Sequence, residues 1–411
     1  MCDTFCVRRP GGMLFAKSSD RPVDEAQVLE WLPGRDPGGS VSATYLTIPD
    51  AGAAALLGSR PTWMWGLEHG VNEHRVAIGN EKVWTVDDPH AAPEALVGMD
   101  LVRLGLERAT TADRAVDVIA DLLDAHGQGG SGEAGADEPY WSSFLIVDPD
   151  GGWVLETSGR SWVAAPVGGG AAISNRLTLS TEWTRSSDDV ERGTDWDGRR
   201  APAAPTGIAD HRLAATRRCV STGSSVTPHH AVAALRDHGG GPWGQPGSTG
   251  DPTPVPDGVH DDWSGVTVCM HVRDYQCTTA SMVADLPSDP GEPLRVWAAL
   301  GTPCSSVYLP VAVLGDEAVV ASVLGDVGAW RSFSALSRAV ERPGAEGGDA
   351  LLAIRTSLAT VEAAAWADAE ELWAARAGAE RWRGAAAGWD QLVRSAVADV
   401  LSATSAPRPA G

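Results

Sequence analysis

Short apolar runs separated by glycine and proline recur along most of the chain. The runs at residues 3–7 and 13–15 flank a Pro-Gly-Gly turn, and those at 143–147 and 153–157 flank an Asp-Pro-Asp-Gly turn. Apolar runs on either side of such turns are typical of β-hairpins, and repeated hairpins indicate antiparallel sheets. Further strands are predicted, in chain order, at residues 53–57, 75–79, 161–166, 171–179, 265–271, 276–284, 295–299 and 317–323.

Two largely apolar helices are predicted between these strands, at residues 93–108 and 111–126. The second helix opens on a capping pattern that runs from Thr110 to Asp113. A shorter helix is predicted at 228–237. Strands, then two helices, then strands again predict helices packed on sheets, which is an α+β sandwich rather than a doubly wound parallel sheet.

The domain organisation follows from changes in composition along the chain. Residues 2–345 are predicted to form one catalytic domain. Within it, the stretches at about 183–212 and 238–262 are rich in proline with charged residues or glycine, so both are expected to be surface insertions. Residues 346–411 are predicted to form a helical C-terminal extension.

The extension contains an Ala-rich helical stretch at about 349–402 with four regularly spaced tryptophans. Their spacings of 7, 9 and 7 residues keep the rings loosely on one helical stripe. Such a stripe favours docking against the sandwich, or self-association into a homo-oligomer, over a ligand site. The tryptophans are Trp366, Trp373, Trp382 and Trp389.

Composition limits the possible partners. The formal net charge of −22 argues against a nucleic acid or an anionic membrane as partner, because both would repel an acidic surface. The N-terminus lacks a basic segment followed by an apolar one, and no run of about 20 apolar residues was expected, so cytoplasmic residence is predicted. No cofactor is implied.

The six cysteines are too sparse for a disulfide scaffold in a chain of 411 residues. No pair has the CxxC spacing of a zinc site, and His69 and His74 lack the HExxH pattern. The sequence therefore predicts no metal site.

Cys2 is the first candidate for chemistry. Methionine aminopeptidase removes Met1 when the next side chain is small, which would leave a thiol and a free α-amine on one residue. A thiol must lose its proton to attack, and an α-amine with a pKa of about 7.7–8.0 can accept that proton. Cys6 shares one face of the first predicted strand with Cys2, and we interpret it as a small buried side chain rather than a second nucleophile.

Lysine and asparagine are scarce, so the positions that retain them are candidates for specific roles. The chain has two lysines and three asparagines. Asn80 and Asn175 each end a predicted strand, where a side-chain amide could stabilise an oxyanion. Lys17 could hold the charge of a thiolate, and Asp20 could orient the amine. Trp65 and Asn72 are predicted to line a substrate pocket.

Several segments together resemble the secernin and cysteine dipeptidase family of N-terminal nucleophile (Ntn) hydrolases. The resemblance extends over roughly residues 2–310, and the order and joint presence of the segments make it specific. The segments are MCDTF at 1–5, FAKSSDRP at 15–22, SRPTWMWG at 59–66, GVNEHRVAIGNEKVW at 70–84, GMDLVRLGLERA at 98–109, ISN at 173–175 and TTASMV at 278–283.

The resemblance implies a four-layer αββα sandwich in which an N-terminal cysteine cleaves an amide through an acyl-enzyme. It assigns Cys2 as nucleophile and base, and Asp20 as the residue that steadies it. Asn80 and Asn175 fall on the positions of the oxyanion-binding and amine-binding asparagines. Lys17 falls where the related bile-salt and penicillin amidases carry arginine, a change that keeps the charge but loses the bidentate fork.

Two positions depart from the family pattern. Ser18 stands where the family has asparagine, and the late arginine of the amidases has no clear counterpart, with Arg217 or Arg218 as candidates. Arg218 is predicted to be a substrate-binding residue. The expected function is a dipeptidase acting on a small peptide or related amide. The alternatives are a secernin-like regulatory protein without hydrolytic activity and an acyl-amide hydrolase of the bile-salt or penicillin kind.

Overall fold

A computed structural model of the chain describes residues 1–202, 204, 206–239, 265–272, 275–342 and 345–405. In chain order the strands are β1 (Cys2–Arg9), β2 (Gly12–Pro22), β3 (Gln27–Leu32), β4 (Ser40–Ser42), β5 (Thr47–Pro49), β6 (Leu56–Pro61), β7 (His69–Asn72), β8 (Ala77–Val83), β9 (Trp141–Asp148), β10 (Gly151–Ser158), β11 (Ser161–Pro166), β12 (Gly170–Ile173), β13 (Arg185–Ser186), β14 (His271–Val272), β15 (Gln276–Pro287), β16 (Arg295–Leu300), β17 (Leu309–Leu314) and β18 (Glu317–Val319). The α-helices are α1 (Gly98–Arg108), α2 (Ala112–His126), α3 (Thr206–Ser221), α4 (Pro228–Leu235), α5 (Val327–Val340), α6 (Ala345–Ala374) and α7 (Ala379–Ser405).

The strands form two large antiparallel sheets. The first has the order β12-β1-β2-β15-β16-β17-β18, with β14 paired to β15. The second has the order β13-β11-β10-β9-β8-β7-β6-β3, and β4 and β5 form a separate ribbon. Every strand pair is antiparallel, from the β1–β2 hairpin to the β9–β10–β11 meander. The predicted antiparallel α+β class is confirmed.

The sheets pack face to face between two layers of helices. Along β9, Leu145 and Val147 join the hydrophobic cluster shared with the first sheet, while Phe144 and Ile146 join the cluster formed with α1 and α2. This alternation follows from the two-residue period of a strand, because each face of the second sheet is covered. Helices α3, α4, α6 and α7 contact the first sheet on its other side. The layer order is therefore αββα.

Several strands are longer, shorter or shifted relative to their predictions. Strand β2 continues to Pro22, where only residues 13–15 were expected, because its polar second half is buried inside the sandwich. The strand predicted at 171–179 ends at Ile173. Of the residues predicted as a strand at 265–271, only His271 lies in a strand, β14. The strand predicted at 53–57 begins later, at Leu56, and is β6.

The helix predictions are mostly confirmed, with differences at their starts. Helix α1 begins at Gly98 rather than at residue 93. A Cβ at Gly98 would lie 2.2 Å from Ser142 Oγ, so the close packing of α1 on the second sheet requires glycine there. Helix α2 is capped by Thr111, whose side chain accepts a hydrogen bond from the Arg114 amide, one residue after the predicted cap.

The expected surface insertion at 183–212 is wrong over its last residues. Helix α3 begins at Thr206 and packs against β1 and β12, which buries Arg212 completely. Arginine-rich and proline-rich composition concealed this helix. Apart from residues 238 and 239, the insertion predicted at 238–262 lies outside the described residues.

The C-terminal helices dock on the first sheet through their tryptophans. Trp297 of β16 stacks on Trp366 at 4.9 Å and meets the edge of Trp373 at 5.2 Å, measured between ring centroids. Trp382 continues the row at 5.3 Å from Trp373, followed by Trp389 at 6.1 Å from Trp382. The predicted docking is confirmed, and the row is part of the core.

Helix α6 also includes the stretch Glu346–Ala374, which is long and apolar enough to cross a membrane by length and composition alone. No apolar stretch of that length was expected from the sequence. The buried residues of this helix, including Ile354 and Trp366, belong to the same core as β16 and β17. A core helix of a folded domain satisfies the same criterion.

Candidate functional site

The candidate site lies at the start of β1, the strand next to the β12 edge of the first sheet. The register places Cys2 opposite Ser19 and Thr4 opposite Lys17, and β15 places Thr278 opposite Asp20. Strand β12 pairs with the other edge of β1. Strands β1, β2 and β15 are interior to this sheet, and the polar side chains that they carry at these positions are buried.

The backbone nitrogen of Cys2 is fixed by Asn175. It donates a hydrogen bond of 2.9 Å to Asn175 Oδ1. The same oxygen accepts a bond of 2.6 Å from Arg212 Nη2, and Asn175 Nδ2 donates to the Lys82 carbonyl at 2.9 Å. Asn175 reaches this place because β12 ends at Ile173 and the chain then turns. The nitrogen that would become an α-amine on removal of Met1 therefore already faces an acceptor.

Arg212 is the cation that joins this group together. Its Nη1 donates to the Cys2 carbonyl at 3.2 Å and to Asp3 Oδ2 at 2.8 Å, and it lies 3.7 Å from Asp20 Oδ2. Its Nε donates to the Ile208 carbonyl, one turn earlier in α3. Arg212 therefore contacts the Cys2 carbonyl, the Asn175 side chain and two buried carboxylates at once. Arg212 was not among the sequence candidates, because it fell in the expected insertion.

Arg218, predicted to be a substrate-binding residue, lies elsewhere. It is 67% exposed and pairs with Asp237 at 3.8 Å. It is located on the same helix as Arg212 but on its outer side, so the structure does not bring it together with Cys2.

The thiol of Cys2 lies among buried charges of both signs. Its Sγ is 3.7 Å from Glu68 Oε2, and Lys17 Nζ is 3.9 Å from that oxygen and 3.7 Å from Glu81 Oε1. Burial raises the pKa of the Cys2 thiol to about 11; Lys17 opposes this rise and Glu68 adds to it. While Met1 is present, Cys2 is therefore a neutral thiol at pH 7.

Lys17 keeps its charge in this buried position. Burial alone would lower its pKa, but Cys2, Glu81 and Glu68 outweigh that effect and raise the pKa above its ordinary value. Lys17 Nζ also donates to the Asn80 carbonyl at 2.8 Å and to the Ser18 carbonyl at 3.3 Å. A fixed ammonium of this kind can stabilise a thiolate once one forms.

Asp20 lies behind the amine side of Cys2. Its Oδ1 accepts a hydrogen bond of 2.6 Å from Thr278 Oγ1, and its carbonyl accepts one of 3.0 Å from the Met1 ammonium. Burial raises the pKa of Asp20 to about 6, against the lowering effects of the terminal ammonium and Arg212. These contacts place Asp20 close to the N-terminal end of β1.

Asn80 is the fourth predicted residue, besides Cys2 itself, that reaches this part of the sandwich. Its Nδ2 has a thioether acceptor, Met99 Sδ at 3.6 Å, which is a weak partner for an amide. Its Oδ1 is buried and has no hydrogen-bond partner among the described residues. The amide of Asn80 can therefore donate to a newly formed oxyanion without losing a strong bond.

Trp65 and Asn72, predicted as pocket residues, have structural contacts instead. Asn72 Nδ2 donates to the carbonyls of Leu106 and Ala109, which ties β7 to the end of α1. The Trp65 ring lies 4.0 Å from the guanidinium carbon of Arg103. The described contacts do not connect either residue with Cys2.

The residues that sequence reasoning missed are mainly buried charges. Asp3, Glu68 and Glu81 lie in or beside apolar strands, and each is almost completely buried. That placement was the available signal, because buried charges require partners. Glu81 accepts a hydrogen bond from Thr4 and faces Lys17. His69 Nδ1 and Ser19 Oγ form a hydrogen bond of 3.0 Å. Burial and the nearby Lys17 keep the pKa of His69 well below its ordinary value.

No family model matches the chain. Among solved structures, a mutant of conjugated bile acid hydrolase from Clostridium perfringens is similar with a TM-score of 0.45 and 11% identity, over 73% of this chain and 89% of that one. Penicillin V acylase from Agrobacterium tumefaciens is similar with a TM-score of 0.43 and 12% identity, over 76% of this chain and 86% of that one. The Caenorhabditis elegans N-acylethanolamine-hydrolyzing acid amidase ortholog is similar with a TM-score of 0.37 and 11% identity, over 71% of this chain and 94% of that one. Likeness at this level does not transfer a reaction or a substrate.

Replacing Arg212 tests whether its guanidinium holds this group together. At pH 7.5 we expect Arg212→Gln to lose about 3 kcal/mol or more of unfolding free energy in urea denaturation, because Asp3 loses its cation and Asp20 keeps only the terminal ammonium. The loss should shrink at pH 5, since the pKa of Asp20 is already raised to about 6 and protonation removes its unpaired charge.

Arg218→Gln on the same helix is the matched control, with an expected change within about 0.5 kcal/mol because the side chain is exposed. Equal losses in the two variants, or a loss for Arg212→Gln that does not depend on pH, would contradict this interpretation.

Proposed function

We propose that the protein is a cysteine-dependent amidohydrolase of the dipeptidase type, acting from an N-terminal Cys2 after Met1 is removed. The observation that carries the proposal is the arrangement around Cys2. Its nitrogen is bonded to Asn175, and its thiol lies in the buried pocket that contains Lys17 and Glu68. The sequence resemblance supports the same reaction class.

Removal of Met1 supplies the base. In the unprocessed chain the Cys2 nitrogen is an amide, which cannot accept a proton, and the thiol is neutral. After removal, the same nitrogen becomes an amine with an ordinary pKa of about 7.7–8.0, close to working pH. The amine takes the proton of its own thiol, while Asn175 orients the amine through Oδ1. The thiolate that forms faces the Lys17 ammonium.

The chemical steps then balance within the site. The Cys2 thiolate attacks the amide carbonyl, and the oxyanion is stabilised by a donor such as the Asn80 amide. The tetrahedral intermediate collapses, the C–N bond breaks, and the leaving amine takes the proton held by the Cys2 ammonium. The amine of Cys2 next removes a proton from water, the resulting hydroxide attacks the thioester, and the carboxylic acid leaves as the thiol is regenerated.

Glu68 favours a peptide with a free N-terminus over an acyl amide. Its Oε1 accepts a hydrogen bond of 3.0 Å from Arg21 Nη1, while its Oε2 lies 3.7 Å from Cys2 Sγ and faces the place where the scissile carbonyl would sit. In a dipeptide the α-ammonium is one carbon away from that carbonyl. Charge-assisted hydrogen bonds from such an ammonium to Glu68 would place the carbonyl beside the thiolate.

Cys2→Ala tests the nucleophile. Screened against a library of dipeptides and acyl amides, the processed wild type should hydrolyse at least one class. Cys2→Ala should lose more than about 10³-fold in kcat/KM, because no other group replaces the thiolate. Cys6→Ala, on the same strand and buried in the core, is the matched control and should remain active. Undiminished turnover by Cys2→Ala would reject the mechanism. If the processed wild type hydrolysed no substrate, the secernin-like regulatory alternative would be favoured.

Glu68→Gln tests the substrate class. For free dipeptides we expect a loss of about 10–100-fold in kcat/KM, the equivalent of one lost charge-assisted interaction. The N-acetylated forms of the same dipeptides lack the ammonium, so their slower hydrolysis should change much less. Wild type that prefers N-acyl substrates, or equal losses for both substrate sets, would contradict dipeptidase specificity and favour the acyl-amide alternative.

A further inference from the structure

Four buried side chains converge where α4, β14 and the loop before β17 meet. They are His238, Cys269, His271 and Cys304, and one potential ligand atom from each lies within 4.8 Å of the others. The mechanism above uses none of them. Two histidines and two cysteines form one of the common ligand sets of structural zinc sites.

Two of the distances between donor atoms are near those of a tetrahedral zinc site. His271 Nε2 lies 3.1 Å from Cys304 Sγ and 3.6 Å from Cys269 Sγ. The ring of His238 meets that of His271 edge-on at 5.4 Å between centroids. Zinc bonds of about 2.3 Å to sulfur and 2.0–2.1 Å to nitrogen put the nitrogen and sulfur ligands about 3.6 Å apart. The observed distances are close to this value.

Neighbouring groups orient the donors. His271 Nδ1 lies 3.2 Å from Glu341 Oε1 and 3.3 Å from Ser337 Oγ. A proton on Nδ1 would be donated to the Glu341 carboxylate, which leaves the lone pair of Nε2 facing the two sulfurs. The Cys304 amide donates to Cys269 Sγ at 3.4 Å, a bond that favours a thiolate at that position.

We propose that His238, Cys269, His271 and Cys304 bind one Zn²⁺ ion in a closed structural site. Two thiolates and two neutral imidazoles neutralise the ion, so the assembly can be buried without an unpaired charge. With all four positions occupied by protein ligands, the ion holds the chain together rather than activating water. Thiolate and imidazole donors in tetrahedral geometry favour zinc over magnesium or calcium.

The sequence predicts no metal here, because none of the four residues lies in a CxxC or HExxH pattern. This set consists instead of a Cys-x-His pair, a histidine beyond the end of α4 and a cysteine in a turn before β17. Such a dispersed set becomes visible only once the fold brings the three stretches together.

The zinc site would also support the back of the Cys2 pocket. Met270, between two of the ligands, donates its backbone N–H to Thr278 Oγ1 at 2.9 Å. The same hydroxyl donates to Asp20 Oδ1 at 2.6 Å. Fixing residues 269–271 therefore fixes the backbone N–H donor that holds the Thr278 hydroxyl in position to donate to Asp20. Loss of the ion should weaken the hydrogen-bonded link from Met270 through Thr278 to Asp20, and it should also lower the stability of the protein.

Metal analysis of the purified full-length protein tests the proposal. Elemental mass spectrometry should find about one zinc ion per chain. After chelation, titration with Co²⁺ should give one equivalent of binding, with a thiolate-to-cobalt absorption band and the intense visible bands of tetrahedral cobalt. Cys269→Ser and Cys304→Ser should lose the zinc and weaken the charge-transfer band. Cys219→Ser, which changes a cysteine outside the cluster, is the matched control and should retain both.

The wild-type Co²⁺ spectrum decides the question even if the cysteine variants fold poorly. Wild type that contains no zinc after growth in zinc-supplemented medium and binds no Co²⁺ would overturn the proposal. A Cys269–Cys304 disulfide found by mass spectrometry in freshly purified protein would also overturn it, as would unchanged zinc content in folded Cys304→Ser. The assay does not use hydrolysis, so its outcome is independent of the proposed function.

Discussion

Pairing of buried charges around the first residues of β1 is the constraint on which the site depends. Cys2 lies inside a closed sandwich, where an unpaired charge would cost several kcal/mol. Arg212 meets this requirement on the amine side through Asp3 and Asp20, and Lys17 meets it on the thiol side through Glu68 and Glu81. Arg212 thereby also holds the Cys2 carbonyl and the Asp3 side chain, and Lys17 pairs with the Glu68 carboxylate that lies beside the Cys2 thiol.

The fold makes this pairing possible by collecting residues from distant parts of the chain. Antiparallel pairing of β1 with β2 and β12 brings Lys17 and Asn175 to opposite sides of Cys2, while α3 covers the end of the sheet and inserts Arg212. The second sheet supplies the two glutamates. The rigidity of the sandwich explains how polar groups from separate elements are held within hydrogen-bond distance before any substrate arrives.

The sequence predicts the elements correctly where the apolar residues are the buried ones and the polar residues lie in turns. The meander of β9 to β11 was predicted closely, with residues 161–166 matching β11 to the residue, because alternating apolar positions and turn residues specify it locally. The sequence-based prediction failed where polar residues are buried. The second half of β2 and the helix around Arg212 look like loop or surface by composition, yet both are interior.

The same reason separates the site residues that could be predicted from those that could not. Cys2, Lys17, Asn80 and Asn175 were found through an unusual position, scarcity and a family resemblance. Arg212 and Glu68 carry no such mark, because arginine and glutamate are common and their importance comes only from tertiary placement. Asn72 was singled out by scarcity as well, and its contacts show that a scarce residue can tie a strand to a helix rather than serve a site.

The central claim is that the free amine of Cys2 is the base, and retention of Met1 tests it most directly. The protein would be prepared with Met1 removed, and again under inhibition of methionine aminopeptidase, with intact mass confirming each form. For a dipeptide that the processed form hydrolyses, we predict that the Met1-retaining form is slower by at least about 10²-fold in kcat/KM, the usual contribution of a general base. Equal rates for the two forms would contradict the account.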